Sequence, residues 1–135
     1  MATQIFINLP VQHLQRAKEF YAELGFTCNP QFTDEKAACM VVSDTIHVML
    51  LAVPFFQTFT PLPVADAHQT TQVLLCLSQD SRAQVEALVA KAVAAGGTTP
   101  NPPKDYGFMY QPGFQDPDGH LWELAYMDMG AFPQA

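Results

Sequence analysis

Apolar positions along this chain follow period two, then period three to four, then period two again, and the second half repeats that order. Residues 4–9 (QIFINL) are apolar and β-branched and predict a strand ended by Pro10. Leu14, Ala17, Phe20, Tyr21 and Leu24 then recur at helical spacing, and Gly25 supplies a stop, so a helix is expected over about residues 12–24. Three strands follow, around residues 26–29, 37–42 (AACMVV) and 45–52 (TIHVMLLA), with Ser43 and Asp44 at the last turn. From 54 to 70 the pattern dissolves into prolines and Phe55, Phe56 and Phe59, which predicts a linker with packed aromatics and no regular element.

The second half runs through the same elements. Residues 71–77 (TQVLLCL) read as a strand and Ser81 as a helix N-cap. Val85, Leu88, Val89, Ala92 and Val93 line one helix face, ending at Gly96 and Gly97. A short strand near Thr98 and Thr99, then strands over about 108–115 and 120–126, complete the set. Asp116-Pro117-Asp118-Gly119 joins the last two: proline presets φ, and glycine accepts a positive one. The predicted fold class is α+β, two β-α-β-β-β modules (about 1–53 and 71–128) within one domain. Each module leaves one sheet face without a helix, and two such sheets, paired, would enclose a cavity.

Composition narrows the function. At 135 residues, 49% hydrophobic and 14% charged, the chain suits one packed domain. A formal charge of −7 with no basic patch argues against nucleic acid and anionic lipid as partners, and is compatible with a cationic ligand. No stretch has the apolar length of a membrane span. The segment MATQIFINLPVQ lacks a basic region and its apolar run breaks at Asn8 and Pro10, so no secretory signal is expected. Cys28, Cys39 and Cys76 have no C-x-x-C spacing, which suits a reduced compartment; the cytoplasm is the expected location.

Three stretches carry a family resemblance. N-L-P-V-x-x-L-x-R-A-x-x-F-Y-x-x-L-G-F (residues 8–26) is similar to the opening strand and helix of glyoxalase and bleomycin-resistance proteins of the vicinal oxygen chelate superfamily. A-x-x-A-G-G (92–97) resembles the end of their second helix, and D-P-D-G-H-L-W-E-L (116–124), the most specific of the three, their final hairpin. The stretches IFINLP, AACMVVSDTIHVMLL and GFMY resemble the bacterial branch of predicted lactoylglutathione-lyase-related proteins. The resemblance implies paired modules and a homodimer. In the family's enzymes, among them glyoxalase I, extradiol dioxygenases, epimerases and fosfomycin-modifying transferases, four inward side chains hold a divalent metal. Other members bind drugs such as bleomycin without metal.

On this chain the four ligand positions fall on Phe6, Met49, Val73 and Glu123. Only Glu123 is a competent donor; phenylalanine and valine donate nothing, and a thioether is a poor ligand for Mg, Mn, Ni or Zn. No metal or other cofactor is therefore expected, a divalent ion rebuilt around His47 and Glu123 being the alternative. The resulting expectation is a small, partly apolar molecule walled by Phe6, Met49, Val73 and Leu75. Asn8, His47, Tyr110 and Glu123 would be its polar handles. Glu123 has two readings: base or amine anchor, and the single catalytic candidate, or a carboxylate bonded across the sheet. Competing functions are a metal-dependent lyase or isomerase of the glyoxalase I type, and a dimeric structural protein with a vestigial cavity.

Overall fold

The computed structural model describes residues 2–131 and divides into two units between Gln69 and Thr70. In the first unit, β1 (Ile5–Val11), α1 (Leu14–Glu23), β2 (Thr27–Asn29), β3 (Ala37–Val41) and β4 (Ile46–Ala52) form a four-stranded sheet of order β1-β4-β3-β2 with one long helix. β1 runs parallel to β4, and β3 antiparallel to both β4 and β2. Contrary to expectation, β1 continues through Pro10 to Val11. As an edge strand it has a neighbour on one side only, so an outward-pointing position loses nothing when the residue there has no N–H.

α1 packs on β3 and β4 through the buried Ala17, Phe20 and Tyr21. Its end is a Schellman motif. The Phe26 N–H donates to Tyr21 O at 3.1 Å and Gly25 N–H to Ala22 O at 3.0 Å, with Gly25 at φ 99°. The Tyr21 and Phe26 rings stack at 5.8 Å, the hydrophobic contact that commonly accompanies this cap. The segment expected to be irregular begins instead with a helical turn, α2 (Val53–Phe56), continued by a 3-10 turn (Gln57–Phe59). Pro54 sits in the first turn of α2, where its missing N–H costs nothing, and Phe55 packs edge-on against Phe59 at 5.1 Å.

The second unit repeats the plan with β5 (Leu75–Ser78), α3 (Arg82–Ala94), β6 (Lys104–Asp105), β7 (Met109–Gln111), β8 (Gly113–Gln115) and β9 (Leu121–Met127). Its sheet order is β5-β9-β7-β6, with β8 also paired to β9, and β5 and β9 are parallel. Ser81 caps α3 as expected, its Oγ accepting from Gln84 N at 3.1 Å, and Gly97 N–H to Ala92 O closes it as in α1. β5 starts only at Leu75. Its neighbour β9 begins at Leu121, opposite Leu74, so the residues before Leu74 have run past the strand they would pair with in this unit. The strand expected over 108–115 is split at Pro112, which has no N–H to give and whose carbonyl accepts from Leu124 N at 2.9 Å. Thr98 contributes an isolated bridge to Gln115, and the short strand expected near Thr98 and Thr99 forms at Lys104–Asp105.

Trp122 and Leu124 are buried on the α3 side with Phe114, whose ring stacks on Trp122 at 6.2 Å. The hairpin before them turns on Asp116, 3% exposed, whose Oδ1 accepts from Asp118 N at 3.0 Å and His120 N at 2.8 Å. Asp116→Ala strands both donors in a buried turn and is expected to cost about 1–3 kcal/mol, with Asp116→Asn costing less, by urea unfolding.

Candidate functional site

Alternation sorts the expected site residues onto sheet faces. In the first unit, Leu9, Val11, Val48 and Leu50 are buried on the α1 side. Phe6 registers with His47 and Asn8 with Met49, so these four share the opposite face. Phe6 is 49% exposed and its ring stacks on His47, centroids 4.5 Å apart and planes at 9°. Gln4 Oε1 lies 2.8 Å from His47 Nε2, and His47 Nδ1 is buried without a hydrogen-bond partner among the described residues. The structure thus brings Phe6, Asn8, His47 and Met49 together.

In the second unit, Glu123 faces away from Trp122 and Leu124. It registers with Cys76 on β5 and Gly113 on β8. A cleft of about 300 Å³ borders Glu123, and Gly113, Phe114 and Trp122 also line it. Leu74, Pro100, Pro102, Pro103 and Leu121 give it apolar walls; Glu123, Gln111, Asn101 and Lys104 give it polar groups. Gly113 is required here because a Cβ would meet Trp122 O at 2.5 Å. Gln111 Nε2 lies 3.9 Å from Cys76 Sγ, which places Gln111 on the same face.

Three expected wall or handle positions depart from this arrangement. Leu75 registers with Trp122 and so belongs to the helix-side face, because strand period two puts Cys76 beside Glu123 instead. Val73 precedes β5, is 58% exposed and does not line the cleft. Tyr110 pairs with Tyr126 and turns toward α3, with the Arg82 guanidinium over its ring at 4.1 Å. Burial, reinforced by the charge and hydrogen bond of Glu86, pushes its hydroxyl above the ordinary tyrosine range. It lines a different cleft, of about 250 Å³, with Glu86 and Val89; the Asn101-Pro102-Pro103 segment borders both clefts. Cys76, Gln111, Asn101 and Lys104 were not anticipated. Counting by two from Glu123 would have found strand neighbours, but cross-strand register has no local signature.

The divalent metal of the family's enzymes does not fit these residues. Phe6 presents a stacked ring, Met49 a thioether, Val73 an exposed isopropyl group, and Glu123 one carboxylate. Among the described residues no three His, Cys, Asp or Glu side chains are grouped to hold an ion. No helix of the described residues is long and apolar enough to cross a membrane.

The sequence profile of the Glyoxalase/Bleomycin resistance protein/Dioxygenase superfamily matches residues 4–124, and the chain belongs to that superfamily. No curated protein matches it. Among solved structures it is similar to the hypothetical protein SA1046 from S. aureus (26% identity, 93% of this chain and 94% of that one, TM-score 0.78). It shares its fold with a glyoxalase-related enzyme from Fulvimarina pelagi (23%, 93% and 88%, 0.77). TnmS3, an antibiotic binding protein from Streptomyces sp. CB03234, has the same fold (22%, 94% and 97%, 0.66).

The cleft face also sets the chemistry of Cys76. Burial first, then the Glu123 carboxylate, raises its thiol above the ordinary cysteine range, against a lowering contribution from Gln111. Glu123→Gln removes the repelling charge and leaves the burial. The midpoint of Cys76 alkylation against pH is therefore expected to move down in that variant while staying above an unperturbed thiol.

Proposed function

We propose that this protein binds a small, partly apolar molecule without a divalent metal, in the cleft beside Glu123, with an amine of the ligand at that carboxylate. The observation that carries the reading is the cleft itself: apolar walls of proline and leucine around a few polar groups, the usual make-up of a small-molecule site. The Phe6–His47 stack, with Asn8 and Met49, is a separate aromatic surface on the first unit. An antibiotic-binding protein among the structures of like fold supports the class of function. A metal-dependent lyase or isomerase would need donors that Phe6, Met49 and Val73 do not supply. The reading takes the protein as a cytoplasmic homodimer, in keeping with the family and with three free cysteines.

Aromatic and aliphatic amines screened by thermal shift and by the fluorescence of Trp122, the single tryptophan, are the direct test. For any amine found, Glu123→Gln is expected to weaken binding about tenfold or more, the worth of one hydrogen bond to a charged group. Unchanged affinity overturns the role of Glu123. Protein purified without an affinity tag is expected to carry far less than one equivalent of Ni, Zn, Mn or Fe by elemental analysis. Stoichiometric metal, lost in Glu123→Ala, would restore the lyase reading.

A further inference from the structure

Resting on that reading of the cleft, we infer that its ligand is a zwitterion, with an amine at Glu123 and a carboxylate at Lys104. These two are the only charged residues among those lining the cleft, and they are of opposite sign. Register places both on one face. Lys104 pairs with Gln111 across β6 and β7, and Gln111 reaches Cys76, the strand neighbour of Glu123. Asp105, the next residue of β6, pairs with Tyr110 and points to the other face, where Arg82 Nη2 holds its Oδ2 at 2.6 Å. Lys104 is thereby separated from the adjacent carboxylate. Among the described residues, neither Lys104 nor Glu123 makes an ion pair.

Their separation suits an intervening molecule. β6 lies two strands from β9, a lateral backbone spacing of roughly 10 Å, and Lys104 and Glu123 both line the one cleft. Gln111, on the strand between them, is an amide able to bond either end, and apolar prolines line the same cleft. A ligand with only an amine satisfies Glu123 and leaves its other end beside a lysine.

The test uses three probes with one skeleton, 4-(aminomethyl)benzoate, 4-methylbenzylamine and 4-methylbenzoate, titrated into the tag-free full chain. Binding is followed by amide shifts of Gln111, Leu121 and Glu123 in two-dimensional NMR. The zwitterion is expected to bind about fivefold tighter than either singly charged probe, the scale of one partly exposed ion pair. Lys104→Gln should remove its advantage over 4-methylbenzylamine, while the amine itself gains affinity because a like charge has gone. Glu123→Gln should remove its advantage over 4-methylbenzoate. Equal binding of zwitterion and amine, insensitive to Lys104→Gln, overturns the inference and leaves the amine-binding cleft standing. No shift at these amides with any probe overturns both. Because Lys104 is exposed, its variant folds as the parent does, and matching spectra of the unliganded proteins check this.

Discussion

Everything in this structure depends on the parallel pairing of the first and last strands of each unit, β1 with β4 and β5 with β9. Two strands in one direction cannot be joined by a tight turn, so the chain must cross over, and a helix is the compact way to do it. The crossover is α1 in one unit and α3 in the other, and each packs on the same sheet it connects. One face of each sheet is thereby committed to a core of Phe20, Tyr21, Met40 and Leu50, or of Val85, Phe114, Trp122 and Leu124. The other face carries neither of these two helices. Side chains that would be costly in a core, Asn8, His47 and Glu123, stand there.

Orientation within that plan hangs on one hairpin. A strand slipped by a single residue exchanges its two faces, which would bury Glu123 against α3 and expose Trp122. The Asp116 carboxylate, accepting two backbone N–H groups, fixes the turn from which β9 starts, and the Phe114–Trp122 stack fixes the pairing that follows. Stability and site geometry are thus the same constraint. The close approach of Gly113 to Trp122 O adds to it: the missing Cβ lets β8 lie against β9 and leaves room above Glu123.

Much of the fold was legible in advance. The helical spacing of Ala17, Phe20 and Tyr21, the Ser81 cap, the glycines after both helices and the D-P-D-G turn are local signals, each set by the residues that carry it. The face shared by Phe6, Asn8, His47 and Met49 was legible too, because period two acts within each strand and the two strands pair in step. Proline misled where its neighbours mattered more than itself. Pro10 does not end β1 because β1 lies at an edge; Pro54 starts a helical turn; Pro112 splits one strand into two.

The site was legible only in part. Glu123 could be picked out from its own strand, a lone carboxylate among apolar residues. Its companions could not. Whether Leu75 or Cys76 stands beside it, whether Tyr110 or Gln111 faces it, and whether Lys104 reaches the same cleft are questions of register between segments far apart in sequence. The sequence by itself determined the elements, their order and the family, because those follow from short-range spacing and turn chemistry. Only the tertiary structure decided which side chains share a face, because strand register is set by the simultaneous packing of many apolar side chains and no local run of residues encodes it.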